Sequence, residues 1–283
     1  MRPFLTVVFL ISNFILVCNG SQIKDTTGHT RPGYNRDSVI HFTGKQSIDT
    51  SGVGGDSVHA RNVLAFALKF AEKYEYKNSF TYNSQSLMTD SGRLSMDYGY
   101  LFDKQLKYLI VRVPSIGNKL ENDVGIYLYL LKNNHFARIC SMIDQREAFT
   151  GDTLEDVNGD GYKDLVISWY SGCGCCPRAD VHVFLYKPDV GVNTEDVALM
   201  NPTFLPGKKL VYTMSYGHPD EIALYKCKWS GVKLDTLESV VTAPTHKNKL
   251  EIESKITGKT KTVNKLPAEY RCMSKNDLEW FLP

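Results

Sequence analysis

Val124-Gly125-Ile126-Tyr127-Leu128-Tyr129-Leu130-Leu131-Lys132-Asn133-Asn134 is the stretch whose reading decides the fold. Ile126, Leu128 and Leu130 alternate with Tyr127, Tyr129 and Leu131, so both faces of an extended segment are apolar or aromatic. A two-residue period places successive side chains on opposite faces of a strand, and two apolar faces mean that both are covered. Asn133-Asn134 then supplies a turn. A packed antiparallel sheet follows.

Similar short aromatic and β-branched runs lie on either side: 79–82, 93–102, 107–113, 136–143, 165–170, 181–187, 209–214, 221–229 and 249–256. Turn residues separate them, among them Gly151-Asp152, Ser230-Gly231 and Thr257-Gly258. One earlier segment has a different period. Between Ser57 and Tyr76, Val58, Val63, Leu64, Ala67, Leu68, Ala71 and Tyr74 recur at helical spacing, which predicts one amphipathic helix laid on a sheet. Ser274 to Leu282 reads as a short capped helix, with Ser274 as the cap. The fold class expected is α+β and β-rich: antiparallel sheets, sandwich-like or as a partial propeller, with one long N-terminal amphipathic helix. No repeat of 20 to 50 residues is visible, so a full propeller of repeated blades is not expected.

Outside this domain the composition changes. Residues 1–20 carry one cation, Arg2, an apolar run from Phe4 to Ile11 and a second cluster from Phe14 to Val17, which is a signal-peptide pattern. Two fates of the leader remain open: cleavage near Gly20, or lipid attachment at Cys18. The apolar run is too short for a span, so no transmembrane helix is expected. Residues 21–56, rich in Gly, Ser, Thr, Asn and charge, read as a flexible tether, and 57–283 as a single β-rich domain. The protein is therefore expected to be exported: periplasmic, anchored at the outer membrane, or secreted.

Within the domain one loop carries chemistry. Asp156-Val157-Asn158-Gly159-Asp160-Gly161-Tyr162-Lys163-Asp164 places side-chain oxygens at loop positions 1, 3, 5 and 9 and glycine at position 6. A hard cation such as calcium takes six to eight oxygens, so the chain must wrap around it. Alternate residues then point inward, and Gly161 permits the sharp turn. The carbonyl of Tyr162 supplies a backbone ligand. Position 12, a glutamate in an EF-hand, is Ile167 here, inside the apolar run Leu165-Val166-Ile167. The loop thus leads into a strand, and a further ligand must be water or another residue, with Asp152 and Glu155 the nearest carboxylates. Affinity is then expected in the extracellular range, on the order of 10⁻⁴ to 10⁻³ M.

This loop resembles the calcium loops of integrin-type FG-GAP and VCBS repeats, here in a single copy. The resemblance implies a calcium site with Asp156, Asn158, Asp160 and Asp164 as side-chain ligands and Tyr162 through its carbonyl. The layout of leader, tether, β domain and one such loop is also similar to periplasmic proteins that inhibit peptidoglycan-cleaving hydrolases.

Export decides how the cysteines are read, because disulfides persist outside the cytosol. Cys140, Cys173, Cys175, Cys176, Cys227 and Cys272 are candidate disulfide partners. The run Cys173-Gly174-Cys175-Cys176 could also form a soft-metal or redox site.

Several function classes are disfavoured. Lys plus Arg total 33 against 31 Asp plus Glu, interspersed, so no basic surface for nucleic acid is expected. There is no Gly-x-Ser-x-Gly elbow, His-Glu-x-x-His or phosphate-binding glycine loop, and the seven histidines are scattered singly. The leading expectation is a non-enzymatic envelope protein that binds calcium and a protein or glycan partner, in one form an inhibitor of a cell-wall hydrolase. The alternative is an exported polysaccharide or peptide hydrolase with structural calcium, whose paired carboxylates the fold would have to bring together.

Overall fold

In the computed structural model the described residues are 23–24, 30–31, 58–89, 92–114, 124–143, 147–171, 179–215, 222–243 and 249–282. The chain divides into two units, Met1–Ser38 and Val39–Pro283. In the first, β1 (Ile23–Lys24) pairs antiparallel with β2 (Thr30–Arg31). The leader, Cys18 and the rest of the tether lie outside the described residues, as does the segment 172–178 with Cys173, Cys175 and Cys176.

The second unit is β-rich, with antiparallel sheets and few helices. Its first described element is helix α1 (Val58–Lys73), followed by a five-stranded meander: β3 (Ser79–Thr89), β4 (Gly92–Gly99), β5 (Tyr108–Pro114), β6 (Val124–Lys132) and β7 (His135–Met142). β6 is the segment quoted at the outset. Asn133 and Asn134 both take left-handed backbone angles, φ 52° and 60°, and Lys132 pairs with His135. That is the two-residue hairpin turn whose twist matches the strands, and asparagine tolerates it better than other residues with a side chain.

The alternation in β6 then separates two cores. Tyr127 and Tyr129, with Leu109 and Val111 of β5, pack against Val63, Leu64, Ala67 and Ala71 of α1, all buried. Ile126 and Leu128, with Tyr108 and Ile110, face the other way onto Leu165, Ile167, Trp169 and Phe184. These last belong to a second sheet of β8 (Glu147–Glu155), β9 (Asp164–Ser171), β10 (Ala179–Phe184) and β13 (Val197–Met200), ordered β13-β10-β9-β8. A two-stranded ribbon, β11 (Tyr186–Lys187) and β12 (Gly191–Val192), interrupts it.

The far face of the second sheet, Val166, Val181, Val183 and Leu199, packs on Val211, Tyr225, Cys227 and Trp229 of a third. Its six strands run in order: β14 (Thr203–Leu205), β15 (Leu210–Met214), β16 (Leu224–Ser230), β17 (Lys233–Thr242), β18 (Leu250–Ser254) and β19 (Thr260–Val263). Tyr212, Leu224, Val240 and Ile252 on its outer face receive Tyr270, Met273 and Phe281 from the C-terminal segment that ends in helix α2 (Lys275–Phe281). Three sheets thus stack face to face with a helix at each end, and no closed propeller forms among the described residues.

Gly151-Asp152 is a correction to the sequence reading: it is no turn. It lies inside β8, where the pairing with β9 slips by one residue between Phe149 and Gly151. A β-bulge of this kind bends the strand without ending it.

At the other end, Ser274 caps α2 by accepting the Asp277 N–H at 3.1 Å. Asp277 in turn accepts the Asn201 side-chain amide at 2.5 Å, and the Asn201 carbonyl oxygen accepts the Ala179 N–H at 2.6 Å. One asparagine therefore ties α2 to the start of β10. Asn201→Ala leaves one oxygen of the buried Asp277 carboxylate and a backbone donor without their partner, while Ser274 keeps the other oxygen, and should lower the unfolding free energy by about 1–3 kcal/mol. A urea-melt shift well under that range would show both groups rehydrated.

Candidate metal centre

The loop 156–164 joins β8 to β9 within the second sheet. Its conformation is set by its own carboxylates. One oxygen of Asp156 accepts the Gly159 N–H at 2.6 Å and the Asp160 N–H at 3.3 Å, and the other accepts Gly161 N–H at 2.9 Å. Asn158 Oδ1 accepts the Asp160 N–H at 3.0 Å, and Asp160 Oδ1 the Tyr162 N–H at 2.9 Å. Short side chains of this type hydrogen-bond the backbone a few residues on and fold the chain around themselves. Gly159 (φ 73°) and Gly161 (φ 89°) supply the left-handed turns.

Asp164 is held differently. It is fully buried, and its two oxygens accept the Val157 N–H at 3.1 Å and the Tyr186 N–H at 2.9 Å. Burial, with the nearby charges of Asp160 and Asp156 adding to it, pushes its carboxyl up to about 7 against the two amide hydrogen bonds. The three aspartates are thus within electrostatic reach of one another. The Tyr162 ring lies 5.7 Å from that of Tyr186, whose hydroxyl donates to Asp103.

The donor set fits a hard cation in kind: carboxylate, amide and carbonyl oxygens, and no sulfur or nitrogen. In arrangement, the side chains turn to the loop's own amides, and among the described residues no three His, Cys, Asp or Glu side chains gather as a metal-holding group. Each carboxylate retains further lone pairs, because an ionised carboxyl accepts at about four positions.

Asp152, one of the two nearest additional carboxylates, is already engaged in an ion pair. Both its oxygens are taken by Arg112 of β5, Nε at 2.5 Å and Nη2 at 2.6 Å. Arg112 Nη1 also donates to Asp97 of β4 at 2.7 Å, and Asp97 accepts the Thr81 hydroxyl at 2.8 Å. Burial alone would lower the guanidinium pKa; the two carboxylates outweigh it and raise the value. Glu155 is exposed and accepts the Thr153 hydroxyl at 3.1 Å.

Of the cysteines, Cys140, Cys227 and Cys272 are free thiols. Burial pushes Cys140 up to about 12, with Asp196 adding to it, and Cys227 up to about 11. Both stay protonated at neutral pH, a poor state for a nucleophile or a metal ligand.

Sequence spacing gave no signal for a further polar contact, His182 Nδ1 to Asp196 at 2.5 Å. Only the pairing of β10 with β13 brings them together. Comparison of the chain with protein-family models, with curated proteins and with solved structures finds no match in any of the three. What fold and loop define is a class: a β-rich antiparallel protein with an oxygen-rich Asp/Asn/Gly loop leading into a strand.

Proposed function

We propose that this is an exported, calcium-binding, non-enzymatic protein of the cell envelope whose domain binds a protein or glycan partner, in one form as an inhibitor of a cell-wall hydrolase. The observation that carries the calcium reading is the loop itself. Its oxygens are spaced for a hard cation, Asp156 already accepts the position-6 amide, and the charges of Asp156 and Asp160 oppose ionisation of Asp164. Asp156, Asn158, Asp160 and Asp164 would hold calcium with the Tyr162 carbonyl. A bound cation supplies charge neutralisation for the aspartates and so stiffens the β8–β9 connection. Export rests on the leader pattern of residues 1–20.

The test is thermal unfolding of the protein in EDTA and in about 10 mM calcium. A site of about 10⁻⁴ to 10⁻³ M affinity should add about 1.4–2.7 kcal/mol at that concentration. Asp160→Ala, at an exposed position, should abolish the calcium-dependent gain, and in EDTA should melt somewhat below the parent because it also gives up the Tyr162 N–H hydrogen bond. Identical melts with and without calcium reduce the loop to a turn and remove the calcium reading.

A further inference from the structure

Where α1 lies beside β3, the edge strand of the first sheet, the rings of Phe66, Phe70, Tyr74, Phe80 and Tyr82 form one patch. Phe70 is its centre, with centroids 4.4 Å from Tyr82, 4.8 Å from Tyr74, 6.0 Å from Phe80 and 6.3 Å from Phe66. Phe66 is 43% exposed, and Tyr76, 6.5 Å from Tyr74, is 74% exposed. Contiguous exposed apolar surface rimmed by polar groups marks an interaction site, and aromatic rings dominate the centres of protein interfaces.

The rim is mostly basic, with Lys69, Lys73 and Lys77 against Glu75, which stands between Tyr74 and Tyr76 in the sequence. Lys69 follows Phe66 by three residues and Lys73 follows Phe70 by three, so both stand on the same stripe of the helix as the rings. Both are exposed, and neither pairs with a carboxylate among the described residues. The one carboxylate of α1, Glu72, is two residues from Phe70 and six from Phe66, spacings that do not share the stripe. Beyond the helix, Lys77 sits over the Tyr74 ring at 4.7 Å.

We propose that this patch is the docking surface for a partner protein that presents an apolar anchor side chain flanked by carboxylates. The inference rests on the partner-binding reading above and names its face and chemistry. Unpaired lysines beside an apolar centre are complementary to such a segment, which would gain contact with the rings and neutralise Lys69 and Lys73. A flat sugar platform is a poorer match. The rings tilt by 34° to 74° about Phe70, and neither Phe66 nor Phe70 offers a hydroxyl. A bilayer is also a poorer match, since Phe70, Tyr74, Phe80 and Tyr82 are half-buried among one another and do not project.

The probe is a labelled synthetic helix of about 16 residues, with tryptophan and leucines at helical spacing and glutamates beside them. Its binding to the full chain in millimolar calcium is followed by fluorescence anisotropy. Saturable binding is expected, weakened about tenfold or more by Phe66→Ser and by the pair Lys69→Glu and Lys73→Glu. These variants should melt with the parent, since the changed side chains lie at the surface. A peptide with lysines in place of the glutamates should not bind. Absence of binding, equal binding to parent and variants, or preference of the same residues for phosphatidylglycerol vesicles or polygalacturonate would overturn the proposal. The calcium melt on the same sample separates the two readings: a protein stabilised by calcium that ignores the peptide loses this face and keeps its loop.

Discussion

Arg112→Met is expected to lower the unfolding free energy by about 3–5 kcal/mol, the usual loss when a buried charge is left without its partner. Arg112 stands on β5 of the first sheet, and its guanidinium reaches across to Asp152 on β8 of the second, with both donors in place. The Asp152 side chain is 4% exposed and that of Arg112 17%, so water cannot readily replace the fork. Methionine keeps the stem and removes the charge. Arg112→Lys should recover part of the loss, because a point charge cannot make two parallel bonds. Equilibrium urea unfolding reads these values, and Asp152→Asn completes a double-mutant cycle. A coupling energy near zero would show that the pair is hydrated and that the first two sheets are held by their apolar faces alone.

A second large loss is expected from Gly159→Ala. A methyl group there would lie 2.1 Å from the Pro206 carbonyl oxygen and 3.0 Å from its carbon. That oxygen accepts the Lys209 N–H within the short 3₁₀ turn Pro206–Lys208, so it is poorly placed to move aside. The left-handed backbone adds about 1–2 kcal/mol for any residue with a side chain. With the clash, the total should reach about 3 kcal/mol or more. Gly161→Ala is the internal control: φ is again positive, but no atom lies within 4 Å, so only the conformational part of about 1–2 kcal/mol applies. If the two variants melt together, the loop does not press on the third sheet. If Gly159→Ala melts far lower, the contact fixes where the candidate calcium loop sits.

These two sites show where sequence reading stops. The β6–β7 hairpin was legible because alternation and Asn133-Asn134 are local signals. The loop was legible because its oxygens are spaced along nine consecutive residues. The strand β8 was hidden, since Thr150-Gly151-Asp152 has turn composition and only the neighbouring strand makes it a bulge. In β17, Asp235, Thr236, Glu238 and Ser239 mask the alternation of a strand bordered on both sides. The Arg112–Asp152 pair joins residues 40 apart on different sheets, and Gly159 meets Pro206 through a contact between sheets. Neither has a local signature, because stacking of whole sheets creates both. The aromatic patch is similar: a helix and a strand each contribute rings, and sequence spacing does not add them together.

The serial stacking of the three sheets has a consequence for how the chain is made. Each sheet is built from one continuous portion of the sequence, the second with the β11–β12 ribbon inside it, and the order of sheets in space is their order in the chain. Most pairings therefore close short loops, which favours rapid formation during synthesis, when the N-terminal portion is released first. The middle sheet shows the cost of this order. It has two apolar faces and gains a cover for the second only when β15 and β16 arrive, so a chain stopped before residue 210 would present Val166, Val181 and Val183 to water. Nascent chains arrested at that length should bind chaperones, and chains that carry the C-terminal segment through Phe281 should not.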